Sequence, residues 1–303
     1  MTTSAEVIRG APGAGGCVTV TRPADPRLRP LFARAPLGFM EDTDAFAEWL
    51  MPPTATVTII INITGALGGL PPAFVAGVED TYSLVRHGGT TCCLDLKLTP
   101  LGAYRILGVP MCELAGQVVD LGDVLGAEGR RLAAMLAEPP PAARPPSRPD
   151  DAAGWVDRFD LLDRFLLWRA ATGPAPSRPV AWAWHRLVAT GGLVPIGELA
   201  GAIGWSRRHL TERFRREVGL PPKTMARILR FSRLLGRAAT TDPVRWDRLA
   251  VECGYYDQSH LNRDFREFAG TTPTDYLARL LPDGTVIGDG LRRTRASEAA
   301  AHG

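Results

Sequence analysis

Two stretches of the chain place polyanion-binding side chains at helical spacing. In residues 204–225, GWSRRHLTERFRREVGLPPKTM, a turn of about 100° per residue puts Leu210, Phe214 and Val218 on one side. Arg208, Glu212, Arg215 and Arg216 then fall on the other, with Thr211 on the flank. In residues 254–277, GYYDQSHLNRDFREFAGTTPTDYL, the inward set is Leu261, Phe265 and Phe268. Ser259, Arg263 and Arg266 face out there, and Asn262 flanks them. An exposed helix rich in Arg, Asn and Ser can enter a major groove and meet base edges and phosphates. Arginine offers a planar donor fork to guanine or phosphate, and a glutamate can accept from cytosine N4. A charged outer face is also what any solvated amphipathic helix shows, so neither stretch is decisive alone.

The two stretches align with each other. Leu199-Ala200 matches Leu249-Ala250, Gly204 matches Gly254, and after one extra residue His209-Leu210 matches His260-Leu261. Phe214, Gly219 and Pro222 find counterparts in Phe265, Gly270 and Pro273. Ser206 and Asp257 sit where an N-cap is wanted, and Gly219 and Gly270 where a helix must stop in a left-handed conformation. Each copy has the layout of a helix-turn-helix unit. Two such helices about 34 Å apart would meet successive turns of one groove face. Residues 224–239 read as one connecting helix with Met225, Ile228, Leu229 and Leu235 as its apolar stripe. The row Arg227, Arg230, Arg233 and Arg237 on its other side reads as a solvated face rather than a DNA contact.

Residues 180–281 resemble the DNA-binding domain of AraC/XylS-type transcription regulators, about a third of the chain. The stretch G-Y-x-D-x-x-H-L-x-R-x-F-R-x-x-x-G-x-x-P-x-x-Y, Gly254 to Tyr276, carries the resemblance. It implies base readers at Arg208, Thr211 and Glu212 in the first unit and at Ser259, His260 and Arg263 in the second, with Gln258 beside them. Adding the remaining outward residues, the expected DNA-binding set is Arg208, Thr211, Glu212, Arg215, Arg216, Gln258, Ser259, His260, Asn262, Arg263 and Arg266. Leu261 stands where the family usually has Phe, and Asn262 where it often has Ser or Cys. His209 reads as a packing or phosphate-contacting residue.

The elements that must carry these units come from a 303-residue chain, 45% hydrophobic and 22% charged, which is the composition of a globular protein. Its net charge of +3 is uneven. Residues 196–281 hold fifteen Arg and Lys against ten Asp and Glu, a net +5, leaving −2 for the remainder. Ahead of the repeat, residues 56–64 alternate as a strand, with Val57, Ile59, Ile61 and Ile63 on one face. FVAG, YSLVRH and CCLDLKL read as further short strands, and LGAYRILG, CELAGQVV and EGRRLAAMLAE as short helices. Residues 1–55 show no clean period, residues 139–151 are Pro-rich, and 155–170 have helical spacing. The expected fold is an α+β N-terminal domain, short strands plus helices, followed by an all-α domain of two helix-turn-helix units and a linker helix. The expected boundaries are 1–172 for a sensor or dimerisation domain, 173–179 for a Pro-rich linker, 180–281 for the DNA-binding domain and 282–303 for a tail. The run 96–126 resembles an uncharacterised module that often precedes such domains.

Catalytic chemistry finds little support. The chain holds no HExxH, Cys-x-x-Cys, Gly-x-Ser-x-Gly or phosphate-cradling glycine loop. Cys92, Cys93, Cys112 and His87 could be imagined as a thiol site, but adjacent cysteines alternate faces on a strand and free cysteines commonly pack as small hydrophobes. Trp49, Trp155 and Trp168 are expected in the core. A DNA-repair methyl acceptor fused to an AraC-type domain would need an activated thiolate, and no Pro-Cys-His-Arg stretch occurs. No catalytic residue, metal or cofactor is expected. An odd cysteine count and a start without an apolar leader argue for a cytoplasmic protein with no membrane partner. The resemblance implies double-stranded DNA as partner. RNA polymerase, a second copy of the chain and an unidentified small-molecule effector are further candidates. A protein-interaction module that no longer binds DNA is the remaining alternative.

Overall fold

The computed structural model describes residues 6–9, 18–65, 67–138, 152–241 and 243–280. The Pro-rich stretch 139–151 and the tail from 282 lie outside the described residues, as does Cys17. The first half is a seven-stranded sheet in the order β1-β2-β3-β6-β4-β5-β7, with every pair antiparallel. The strands are β1 (Glu6–Arg9), β2 (Val18–Thr21), β3 (Leu37–Met51), β4 (Val57–Thr64), β5 (Ala73–Ala76), β6 (Ser83–Leu98) and β7 (Val118–Asp120). Val57, Ile59 and Ile61 of β4 pair with Leu98, Leu96 and Leu94 of β6, and all six are buried. This is the alternation expected of a sheet with one face in a core.

Helices α1 (Pro100–Leu107), α2 (Leu121–Leu125), α3 (Ala127–Ala137) and α4 (Ala152–Thr172) complete this half. Thr99 caps α1 by accepting from the Gly102 N–H. Trp155 of α4 lies directly over Gly38 of β3, so only glycine fits there. Phe159, Leu162 and Leu166 continue the buried stripe of α4. Arg169 turns back to donate to the Ile106 and Leu107 carbonyls, satisfying the open end of α1.

Several sequence expectations change. YSLVRH and CCLDLKL are one strand, because Gly88 and Gly89 sit at an irregularity of the β3–β6 ribbon rather than at a break. CELAGQVV is not helical. It forms a 3-10 turn at Met111–Glu113 and then β7, which extends the sheet beside β5. The front region contributes β1, β2 and a fifteen-residue β3 despite its lack of period. Trp155 is buried, but Trp49 is half-buried and Trp168 is 44% exposed.

The second half is all helix: α5 (Arg178–Ala189), α6 (Ile196–Ala202), α7 (Arg207–Val218), α8 (Pro222–Ala238), α9 (Trp246–Glu252), α10 (Gln258–Ala269) and α11 (Pro273–Ala278). The connection 173–179 is held at both ends. Gly173 donates to the Arg169 carbonyl, and Ser177 bonds Glu217 of α7 through its backbone N–H (2.8 Å) and hydroxyl (3.1 Å).

Candidate functional site

The two helix-turn-helix units are built alike down to their caps. Ser206 Oγ accepts from the His209 N–H at 3.2 Å, and Asp257 Oδ1 from the His260 N–H at 2.7 Å. Each turn opens on a glycine at positive φ, Gly204 at 70° and Gly254 at 81°, a conformation other residues resist. Leu210, Phe214, Val218, Leu261, Phe265 and Phe268 are all fully buried. Side chains of this size each contribute about 1.5–3 kcal/mol on burial, so these anchors fix which face of α7 and α10 is left outside.

That outside face holds most of the residues expected from sequence. Arg208, Glu212, Arg215 and Arg216 of α7 are exposed, as are Gln258, Ser259, Arg263 and Arg266 of α10. Thr211 is half-buried and its hydroxyl donates to the Arg207 carbonyl at 2.8 Å. His260 is half-buried and meets the Tyr255 ring edge-on at 5.2 Å, as His209 meets Trp205 at 4.4 Å. Each imidazole therefore packs the second helix of its unit onto its own turn.

Gln258, Asn262 and Arg266 stand apart from Ser259 and Arg263. They line a cleft of ≈ 290 Å³ with Trp246, Thr272, Pro273 and Thr274. Among the described residues, Asn262 Oδ1 in this cleft is buried without a hydrogen-bond partner. Trp246, Thr272 and Thr274 were not singled out by helical spacing, since they come from the starts of α9 and α11 and reach α10 only through the fold. Thr272 leaves one legible trace: its position before Pro273 suits a cap, and its hydroxyl accepts from the Asp275 N–H.

The arginines sort by partner. Arg208, Arg215, Arg216, Arg263 and Arg266 make no ion pair among the described residues, whereas Arg213, Arg227, Arg237 and Arg245 do. Arg213 supports Glu217, which is 1% exposed. Arg227 of α8 reaches across to Asp264 at 2.7 Å and Glu267 at 2.6 Å of α10, and its guanidinium lies 4.7 Å from the Phe268 ring centroid. Its hydrogen bonds to Glu267 and Asp264 push the Arg227 pKa up, and Arg227 holds the Glu267 carboxyl below its usual range. Arg237 pairs with Glu252 of α9 at 2.5 Å. Two members of the arginine row expected to be solvated thus clamp the second unit to the connector. Phe231 of α8 reinforces this through edge contacts to Phe265 at 4.9 Å and Phe268 at 5.3 Å.

The sheet half has a second polar feature. Phe39, Cys93 and Asn62 are direct cross-strand neighbours on the face away from the helices. Phe39 and Trp49 lie ten positions apart in β3, about 33 Å along a straight strand. Their rings are nevertheless 6.3 Å apart, so the ribbon doubles back over this face at its irregularity between Thr43 and Ala47. Among the described residues, both amide atoms of Asn62 and the hydroxyl of Thr91 are buried with no hydrogen-bond partner. Cys92 and Cys93 are both buried on opposite faces, and burial pushes the Cys92 thiol up to about 11, which suits packing rather than reaction.

Among the described residues, no group of three His, Cys, Asp or Glu could hold a metal ion, and no helix is long and apolar enough to cross a membrane. Residues 199–279 match the family model described as a helix-turn-helix domain. No curated protein matches the chain. Solved structures similar to it include ToxT from Vibrio cholerae in three forms. An apo point variant of ToxT from strain SCE256 is 12% identical, with 83% of this chain and 100% of that chain covered, at a TM-score of 0.42. ToxT of O395 is 10% identical over 80% and 96%, at 0.40. Wild-type ToxT of strain SCE256 bound to an unsaturated fatty acid is 11% identical over 77% and 94%, also at 0.40. With its doubled units, each N-capped by a side chain and closed by a glycine, and this family match, the segment 199–279 is an AraC-type helix-turn-helix domain.

Proposed function

We propose that this protein is a transcription regulator that reads double-stranded DNA by seating α7 and α10 in successive segments of one major-groove face. The observation that carries it is the set of arginines on two matched, capped helices that make no ion pair among the described residues, while Arg227 and Arg237 of the connecting helix are held in ion pairs. An unpaired guanidinium fork is free to meet guanine O6 and N7 or a phosphate. Arg208, Glu212, Ser259 and Arg263 are the base readers in this reading. Arg215, Arg216 and Arg266 hold phosphates, while Thr211, Gln258 and Asn262 flank the contacts. The outward side chains of α7 and α10 suit binding rather than catalysis.

The test uses the full chain and an operator recovered by genome-wide footprinting. Arg208→Ala and Arg263→Ala are each expected to weaken specific binding by about 1–3 kcal/mol and to relax base preference at one position. Unchanged affinity of both variants, measured by fluorescence anisotropy, overturns the assignment of these readers. Absence of any duplex binding at low salt favours a protein-interaction module instead.

The sheet half is read as the sensor of an uncharged small ligand. Asn62 offers a donor and an acceptor, Thr91 a hydroxyl, and Phe39 and Trp49 an aromatic wall. An orphaned buried amide costs about 1–3 kcal/mol. Asn62→Leu is therefore expected to raise stability toward urea by about that amount in the absence of ligand. A loss of stability would show that the amide serves the fold, and would sink this reading.

A further inference from the structure

We propose that Val78, Thr81 and Tyr82, in the short connection between β5 and β6, are positioning residues for DNA reading that set the spacing of operator half-elements. The inference rests on the two-helix reading above and adds a determinant that lies in the sheet half, far along the chain from either recognition helix.

This one connection touches the C-terminal ends of both recognition helices. At the end of α7, Gly219 adopts φ 107°, and a Cβ placed there would come 2.5 Å from Val78 Cγ2 and 3.3 Å from the Met111 carbonyl oxygen. At the end of α10, Gly270 adopts φ 61°, and a Cβ there would come 2.6 Å from Tyr82 Cζ and 2.8 Å from its hydroxyl oxygen. Thr81 donates its hydroxyl to the Glu267 carbonyl at 3.3 Å, satisfying an acceptor in the last turn of α10. Each helix-ending glycine thus leaves a notch, and the same connection fills both.

The connection is short and held. Four residue steps from Val78 to Tyr82 span at most about 14 Å of backbone. Gly77 donates to the Gln117 carbonyl at 3.0 Å, the Val78 carbonyl accepts from Gly116 at 2.9 Å, and Ser83 enters β6. Val78 is 1% exposed. The helix ends therefore meet a strut that cannot lengthen, in addition to the tie made by Arg227 from α8. The strut leaves the reading faces open, since Arg208, Glu212, Ser259 and Arg263 stay exposed. It fits a gauge of separation and orientation rather than a mask.

The test compares full-length wild type, Tyr82→Ala, Thr81→Val and Tyr82→Phe on the native operator and on operators with one or two base pairs inserted or removed between half-elements. One base pair turns the second half-element by about a tenth of a helical turn. Wild type and Tyr82→Phe are expected to lose about tenfold or more in affinity for one inserted base pair, the scale of an ordinary coupling between sites. Tyr82→Ala is expected to discriminate by less than about threefold. Thr81→Val, which deletes a single hydrogen bond at an exposed residue, should give an intermediate spacing profile and answers the question if Tyr82→Ala fails to fold. A wild-type spacing profile in Tyr82→Ala, or in Thr81→Val where Tyr82→Ala does not fold, overturns the proposal. Failure of the wild type to bind any duplex instead sinks the two-helix reading, and this proposal with it.

Discussion

Arg227 shows how one residue can matter to a helix-turn-helix unit without lying on its outward face. Asp264 beneath it is 1% exposed, so removing the guanidinium strands a buried carboxylate. Arg227→Met is expected to cost about 3 kcal/mol in urea unfolding, the lower end for breaking a buried pair from one side. Lys223→Met, at an exposed position of the same helix, should stay within about 0.5 kcal/mol. The pH dependence has a definite sign. Arg227 lowers the folded pKa of Glu267 below its ordinary 4.5, so this contribution is full above 4.5 and fades as pH falls through the folded value. That acid slope should be shallower in Arg227→Met. A loss under about 1 kcal/mol with an unchanged slope would mean the clamp is not what holds α10 to the connector.

At the scale of elements, legibility tracked how local the determinants are. Helices α7 and α10 could be read because cap, apolar stripe and closing glycine all lie within one short stretch, and the duplication supplied a check. Strand β4 was equally plain, since Val57, Ile59 and Ile61 alternate without interruption. Strand β3 was not legible. Its EDTDAFAEW segment lacks a clean period, and the β3–β6 register is interrupted within it, between Thr43 and Ala47. The doubled glycine at 88–89 mimicked a turn, although β6 runs through it. CELAGQVV has a helix-like composition, yet Gly116 at φ 68° turns the chain and β7 finds a partner in β5 that only the tertiary fold provides. Of the candidate site, the outward faces were readable from spacing. Arg227's partners, the cleft residues Trp246 and Thr272, and the notch-filling Val78 and Tyr82 were not, because each acts on an element distant in sequence.

For the whole molecule, charge placement says which half a polyanion would meet. The sequence from 196 to 281 carries a net +5 and the remainder −2, so attraction to a polyanion is directed at one half. Within that half, ion pairs remove Arg213, Arg227, Arg237 and Arg245 from the available set. The arginines left on α7 and α10 should then dominate the release of counterions. Each phosphate they neutralise contributes about 0.9 to the slope of log affinity against log salt. Arg215→Ala, Arg216→Ala and Arg266→Ala are each expected to flatten that slope by about one and to weaken binding evenly across sequences. Arg208→Ala and Arg263→Ala should instead alter which sequences are preferred. An anisotropy titration across a salt series, on specific and scrambled duplexes, distinguishes the two groups. If all five variants changed slope and preference alike, the division into readers and phosphate holders would fail, and with it the orientation of α7 and α10 in the groove.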